Sequence, residues 1–592
     1  MITGRITLNN TKTLISIIAL LTLTHSSWAQ TKNGDVLLPD GIKSFNTSQN
    51  VELTAVEGQS FKSVLRVGAI EQKPTVIILK SVINAEIKNG DVLWLGFKMR
   101  TLKSKRETGE AFIEVKLDRT INGKIEWPPL FERGISCGQQ WTTIKVPILA
   151  SRDVSKGDLS LTIYCGNMAQ VFEIADLDLR NYKQTVQITE LPRSVVHYDG
   201  DKPDAPWRKA AAERIEKYRK GSLTVKVIDK NGKPVPGATV AVKMKRLNFV
   251  WGTAANSKTL LDTLNPGLKK YHETLFRYFN QVVFENELKW KYWPRYDHNK
   301  TKDAVRYLRA NNITTQGTVM IWPSWQHSPT WLADIKNDTA ALRKAAIDNI
   351  NVQTSEMKGQ FSEWHVLNEP YAHHDIIDLL GRDVMIDWFK AARKGAPGVT
   401  LLVNDYTMFH DEEASESFYK TVRFLKEKKT PVDAIGEQGH IGGTPPSIDY
   451  VIARLNRFAE LGLPIQISEF DITSDDDDFK MNYTRDFLTA VFSNPSVTGV
   501  TQWGFWEKQH WIPAAALWDK DWRLKPNGQV FTNLVSKTWA TNTDGRTNSK
   551  GIYNVKAFNG NYSITVKSGS RQTEQQAILT SNGKTITIKL KN

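Results

Sequence analysis

Between residues 31 and 185 the chain is written in short runs whose apolar and polar positions alternate: VELTAVE, SVLRVGA, TVIILKS, DVLWLGFKM, AFIEVKL, TTIKVPIL, LSLTIYC and VFEIADLDL. A period of two puts successive side chains on opposite faces of a strand, so this stretch predicts an antiparallel β-sandwich. The pattern changes after residue 249. Short apolar runs at NFVWGT, QVVF, ITTQGTV, EWHVLN, LLVND, AIGEQ, IQISE and GVTQWG now alternate with longer segments of helical period, among them DAVRYLRANN, DVMIDWFKAARKG and SIDYVIARLNRFAELG. Alternation of this kind predicts parallel βα units, and eight of them over about 290 residues have the size of a (β/α)8 barrel, an α/β fold.

Two β-rich pieces flank this region. The first, LTVKVIDKNGKPVPGATVAVKM, reads as two strands around an Asn-Gly turn; the second is TDGRTNSKGIYNVKAFNGNYSITVKSG with QQAILTSNGKTITIKL. Together they resemble the two halves of a transthyretin-like β-sandwich, which makes the barrel an insertion into a small discontinuous domain. Residues 202–221 read as a connecting helix that ends at Gly221. The expected division is a signal peptide at 1–29, a β-sandwich at 30–185, a linker and helix at 186–221, small-sandwich pieces at 222–248 and 541–592, and the barrel at 249–540.

Composition adds a destination. Arg5 and Lys12 precede the apolar run Leu14 to Leu23 and the small-residue end Ser27-Trp28-Ala29, the three parts of a secretory signal, so the chain is expected in the periplasm or outside the cell. The apolar run is too short to span a bilayer, and no Cys follows the cleavage point, so no membrane anchor is expected. The formal charge of +15 includes Arg5 and Lys12. Export, and the lack of a basic stripe interleaved with aromatics, exclude nucleic acid as a partner; attraction to an acidic polysaccharide remains open. Cys137 and Cys165 read as one disulfide in an exported protein, against two buried thiols. The 19 Trp are core filler or stacking surfaces for rings. In the N-terminal sandwich Trp94, Trp127 and Trp141 are the candidate platforms, with core packing the alternative.

The residues that carry chemistry stand where barrel strands end, the face on which such folds build their sites. The second strand runs into Glu285-Asn286-Glu287 and Lys289; the fourth ends at Asn368-Glu369; the fifth at Asn404-Asp405. The sixth leads to Gln438 and His440, the seventh to Glu469 and Asp471, the eighth to Trp503. One carboxylate at a strand end is ordinarily a cap or ion-pair partner. Two on different strands, amid Asn, Gln, His and Trp, fit glycosidic cleavage, in which one acid protonates the leaving oxygen and the other meets the developing cation; about 5 to 5.5 Å between them gives retention. The acidic run Asp475 to Asp478 reads as a solvated loop, and no zinc or calcium spacing is present, so no metal or cofactor is expected.

The segments FENELKW, WHVLNEP, LLVNDYT, AIGEQGH, IQISEFDI and QWGFWEKQHW, in this order, resemble glycoside hydrolase family 10, the endo-β-1,4-xylanases. VFEIADLDLRNY similarly resembles the jelly-roll carbohydrate-binding modules that accompany secreted plant-polysaccharide enzymes. The family resemblance implies a retaining endo-xylanase acting on xylan or a related β-glycan; separately, a monomer is expected. It makes Glu369 the general acid/base and Glu469 the nucleophile, supported by Asn368, Gln438, His440 and Asp471. Glu285, Asn286 and Lys289 would hold the next sugar, and Trp322, Trp503 and Trp511 would form stacking walls. Two positions depart from the family pattern: Thr318 stands where a sugar-contacting His is usual, and His365 where Asp commonly precedes the acid/base. Thr318 is therefore expected to weaken the pocket toward plain xylan or to shape it for a bulkier, decorated residue.

Overall fold

The computed structural model describes residues 34–590 except 47–49, 70–76, 105–110, 127–128, 166–168, 195–197, 443–444 and 475. The expected signal peptide and Trp127 lie outside the described residues. The chain forms two units, residues 1–196 and 197–592.

In the first unit the alternating runs pair into two antiparallel sheets. One orders Val51–Ala55, Ser63–Ala69, Gln170–Asn181, Val92–Ser104 and Thr142–Leu149; the other orders Ile78–Ile83, Leu159–Tyr164 and Ala111–Ile121, with Phe131–Cys137 on the far edge of Ala111–Ile121. Their apolar faces share one core that includes Leu65, Leu95, Ile113, Val146, Leu161 and Phe172. Cys137 and Cys165 are two buried thiols, and the expected disulfide is not formed. The reason is register: Cys137 sits opposite Ala111 on one side of Ala111–Ile121, while the strand leading to Cys165 lies on the other side. Two strand spacings, roughly 9.5 Å, exceed disulfide reach. Trp94 donates from Nε1 to the Pro192 carbonyl at 2.9 Å and packs with Tyr182, Val186 and Leu191. Trp141 meets Phe61 edge-on at 4.8 Å and lies under the Arg100 guanidinium.

The second unit has the expected α/β barrel fold and the small discontinuous sandwich. In the sandwich, Lys220–Ile228 lies between Ile552–Phe558 and Lys584–Lys589, while Thr239–Leu247 joins Asn542–Arg546, Gly560–Ser568 and Arg571–Leu579 in a second sheet. The two strands around the Asn-Gly turn are thus not a hairpin. The turn closes only locally, Asp229 Oδ1 accepting from the amides of Asn231 and Lys233; Pro234 and Pro236, which lack amide hydrogens, follow, and the chain crosses to the other sheet. The connecting helix Pro206–Arg214 runs through one π turn, Ile215–Arg219, straight into strand. Gly221 does not cap it. It lies inside the strand, where a Cβ would come within 2.1 Å of the Thr580 carbonyl oxygen.

The barrel strands are β1 Val250–Ala255, β2 Gln281–Phe284, β3 Thr314–Gly317, β4 Glu363–Asn368, β5 Thr400–Asp405, β6 Ala434–Glu437, β7 Ile465–Ile472 and β8 Val497–Gln502. All neighbours are parallel, β8 pairs with β1, and β6 with β7, closing the ring. The main helices after the strands are α1 Lys269–Tyr278, α2 His298–Ala310, α3 Thr339–Glu356, α4 Val384–Gly395, α5 Glu412–Glu427, α6 Ile448–Ala459, α7 Asp477–Ser493 and α8 Pro526–Asn533. The acidic run expected as a solvated loop instead opens α7: Asp476 is buried and its carboxylate accepts from the Phe479 amide at 3.0 Å, while Asp475 lies outside the described residues. One layer of the barrel interior is polar, with Glu363 accepting from Gln281 and Gln316 at 3.1 and 3.0 Å.

Candidate active site

Each candidate carboxylate is placed by the end of a strand that bends. The β4–β5 register shifts between His365 and Leu367, just before Glu369, and the β7–β8 register shifts between Ile467 and Phe470, around Glu469. Such irregularities re-aim side chains where ladder pairing ends. Glu369 itself has φ +51°, a left-handed conformation that is uncommon for a non-glycine residue, and its amide is held by the Asn404 carbonyl at 2.8 Å. Strain held by surrounding structure is a mark of a functional position.

Two amides join the acids. Asn404 donates from Nδ2 to Glu469 Oε1 at 2.9 Å and to Asn368 Oδ1 at 2.8 Å, and Asn368 donates to Glu369 Oε1 at 3.1 Å. Gln438 donates to the same Oε1 at 2.6 Å. Asn404 is oriented in turn by the Ser468 hydroxyl at 2.6 Å. It fits only because β6 carries Gly436, whose missing Cβ would otherwise come within 2.1 Å of Asn404 Oδ1. The sequence marked Asn404 as a strand-end residue without a role; the structure gives it the central one.

On the β7 side, the short parallel pairing of His440–Ile441 with Asp471–Ile472 sets the imidazole between two carboxylates. His440 Nδ1 lies 2.9 Å from Asp471 Oδ1, and Nε2 lies 3.4 Å from Glu469 Oε2. Burial opposes a charge on His440, but Asp471 and Glu469 outweigh it and raise its pKa to about 10. An imidazolium therefore faces Glu469 throughout the neutral range. The sign follows directly: a group raised on folding contributes stability below its unfolded value, about 6.5, and that contribution disappears as pH rises through 10. Urea unfolding at pH 6.5 and pH 10 is expected to show a larger loss for the native chain than for His440→Asn; equal losses would remove the argument.

The remaining candidates are less closely gathered. Trp511 is 52% exposed and donates from Nε1 to Asp471 Oδ2 at 2.7 Å, whereas Trp503 is 6% exposed, packs with Ala254 and Val283, and presents its ring to His440 edge-on at 6.4 Å. Lys289 donates to Asn286 Oδ1 at 3.0 Å and lies over the Trp322 ring. Burial pushes the Glu285 carboxyl above its ordinary value, with Lys289 opposing and the charge of Glu469 adding. A cavity beside Asn286 is also lined by Tyr292, Arg295 and Tyr296. Asp405 is fully buried, and burial raises its pKa to about 7 despite hydrogen bonds from Thr407 and the Tyr371 and Tyr406 amides.

The two departures from the family pattern touch each other. Thr318 Oγ1 lies 3.2 Å from His365 Nδ1, Thr318 is 1% exposed, and burial drives the His365 pKa down to about 3, so a neutral imidazole bonds a hydroxyl inside the barrel. Thr318 is turned toward His365. Two residues absent from the sequence-based candidates do join the site: His373 Nε2 lies 3.2 Å from Glu369 Oε2, and His327 stacks on Trp322 at 3.6 Å and 8° while meeting His373 edge-on at 4.7 Å. The pair His373-His374 was visible after N-E-P, but nothing in its spacing says which ring turns inward.

Residues 241–534 match the model of Glycosyl hydrolase family 10. The barrel belongs to that family. The anti-sigma-I factor RsgI6 of Acetivibrio thermocellus is 30% identical over 367 residues, 61% of this chain and 46% of that protein. Endo-1,4-beta-xylanase 1 of Arabidopsis thaliana is 28% identical over 361 residues, 60% of this chain and 37% of that protein. The chain thus spans less than half the length of these two relatives. Xylanase 10B from Thermotoga petrophila RKU-1, solved in complex with xylobiose, is 26% identical, with a TM-score of 0.45, over 49% of this chain and 95% of its own. Glu369 stands in the run N-E-P and Glu469 in S-E-F-D, both inside the matched residues. Among the described residues no cluster of metal-ligating side chains occurs and no helix is long and apolar enough to cross a membrane.

Proposed function

We propose that this protein is an exported, retaining endo-β-1,4-xylanase that hydrolyses xylan or a related β-glycan by double displacement. The observation that carries the reading is the pair Glu369, just past β4, and Glu469, on β7, joined through Asn368 and Asn404 and set in unlike surroundings. Glu469, facing the His440 imidazolium, is equipped to attack the anomeric carbon as a carboxylate. Glu369, with Oε1 fixed by two amide donors, has Oε2, beside His373, to deliver a proton to the leaving oxygen. In the second step Glu369 takes a proton from water as the water displaces Glu469. Glu285, Asn286 and Lys289 with Trp322, Trp503 and Trp511 supply the polar contacts and aromatic walls that a sugar chain requires. The family 10 relatives named as xylanases support xylan as the first substrate to test.

A second reading keeps the chemistry and changes the glycan to a decorated or different β-glycan; the buried Thr318–His365 pair favours it, because the strand-3 imidazole of the family pattern is absent. A weakened, polysaccharide-binding protein is the third outcome. Product analysis on linear xylan, arabinoxylan, glucuronoxylan and mixed-linkage β-glucan separates them. Xylo-oligosaccharides from linear xylan support the first reading, products only from a branched or mixed-linkage glycan support the second, and binding without release of reducing sugar from any of the four overturns the enzyme.

A further inference from the structure

The segment that follows β2 continues past the groups expected to hold a sugar. Asn286, next to Glu285, opens a cavity of about 520 Å³ that is also lined by Tyr292, Arg295 and Tyr296. Sites for small ligands occupy roughly 300 to 1,000 Å³, so the space holds a monosaccharide with room at its mouth. An amide, two phenols and a guanidinium are groups that bind sugar hydroxyls or an anion, and the two Tyr rings add apolar faces.

The turn that carries these groups is braced. The Lys289 carbonyl accepts from the Tyr292 and Trp293 amides at 2.8 and 2.9 Å, and the Tyr292 carbonyl accepts from the Arg295 amide at 2.8 Å. The Trp293 ring packs on His298 at 3.8 Å, while His298 Nε2 lies 3.1 Å from the Trp293 carbonyl and Nδ1 lies 2.8 Å from Glu356 of α3. Side chains on such a turn are placed before a ligand arrives, which lowers the cost of binding it.

Three cations stand between residues 285 and 296, and two of them are committed. Lys289 donates to Asn286 Oδ1 at 3.0 Å, and Lys291 donates to the Gln326 carbonyl at 2.6 Å. Arg295 is exposed, with its guanidinium 5.2 Å from the centre of the Tyr292 ring, and among the described residues it has no ion pair and no side-chain hydrogen bond. Elsewhere on the barrel Arg343 and Arg393 pair with Asp387 and Asp433. The acids of the same segment do not fill the vacancy: Glu287 Oε1 accepts from the Ser257 amide and hydroxyl at 2.6 and 2.7 Å, and Lys289 opposes the charge of Glu285.

We infer that this cavity is a branch-recognition site in which Arg295 takes the carboxylate of a uronic acid attached to the glycan on the non-reducing side of the cleavage point. This rests on the glycan-cleaving reading above and names its substrate class, a xylan bearing uronate branches. A guanidinium meets a carboxylate through two parallel N–H donors, a match that neutral pentose or hexose branches cannot offer. The Tyr292 ring supports the guanidinium from one side. With Asn286 holding the sugar next to the reacting one, the branch belongs on that sugar or on the one beyond it. The formal charge of +15 adds attraction for such a polyanion at long range.

The test compares glucuronoxylan with the same polymer after its carboxyl groups have been reduced to alcohols, which keeps the branches and removes their charge. The native chain should show kcat/KM about tenfold or more higher on the acidic polymer, chiefly through KM, as a charge-assisted contact made equally in ground and transition states requires. In Arg295→Met and Arg295→Gln the ratio of the two rates should fall to about one, and general damage to the fold cancels in that ratio. Products released by the native chain should carry the uronate on the second or third xylose from the new reducing end. A native ratio near one, variants that keep the native ratio, or products with the uronate at neither position would overturn the inference. If the native chain cuts neither polymer, the proposed function fails and binding decides the branch site. Calorimetric titration with a xylopentaose bearing one glucuronic acid should then give about tenfold tighter binding than its carboxyl-reduced form, with the preference lost in both variants. Equal affinities, or a preference that survives in the variants, would overturn it there too.

Discussion

Glu469→Ala is expected to lower xylan hydrolysis by roughly 10⁴-fold or more while leaving oligosaccharide binding in place, because removing a nucleophile ends the covalent route and leaves only the binding surface. The scale follows from the surroundings. Both oxygens of Glu469 are committed, Oε1 to Asn404 and Oε2 to His440, so the carboxylate is aimed before substrate arrives. The neighbouring acids are otherwise placed: burial raises Glu285, Asp471 is engaged by His440 and Trp511, and Asp405 is enclosed by backbone amides. Glu469→Gln keeps the volume and one accepting oxygen and should lose activity on the same scale, which separates lost chemistry from lost packing. Reducing-sugar release and calorimetric titration with xylohexaose are the two measurements. A Glu469→Gln enzyme within tenfold of native would remove Glu469 from the reaction.

The two candidate carboxylates were legible in the sequence because barrel geometry sends chemistry to strand ends, and a strand end shows as an apolar run that breaks into Asn, Asp, Glu or Gln. All eight barrel strands were visible for the same reason. What stayed hidden depends on partners distant in sequence. Asn404 bridges the acids only because Gly436, on the next strand, makes room. His327 and Trp322 are five residues apart, a spacing with no meaning until the loop folds back and stacks them. Thr318 and His365 each look like a departure from the family pattern, and only side-chain placement shows them to be one hydrogen-bonded pair. The unformed disulfide and the strands parted around the Asn-Gly turn have the same cause: composition and turn chemistry do not specify which strands become neighbours.

Glu369→Ala should divide substrates by their leaving groups. On xylan, where the departing sugar hydroxyl needs a proton, loss of general acid catalysis should cost about 10² to 10⁴-fold. On a dinitrophenyl xylobioside the first step should proceed nearly as in the native enzyme, because the phenolate leaves unaided. The second step should then limit the rate: water no longer has a base, the covalent intermediate on Glu469 accumulates, and release of dinitrophenol should show a burst. Azide, an anion that attacks without giving up a proton and fits the space the carboxylate vacates, should restore turnover and leave a glycosyl azide. Its stereochemistry decides the mechanism. Two displacements place the azide on the β face, so a β-xylosyl azide follows from attack by Glu469, whereas an α product would mean one direct displacement. Equal losses on xylan and on the activated substrate would instead assign Glu369 a structural part, and the proton would have to come from another group.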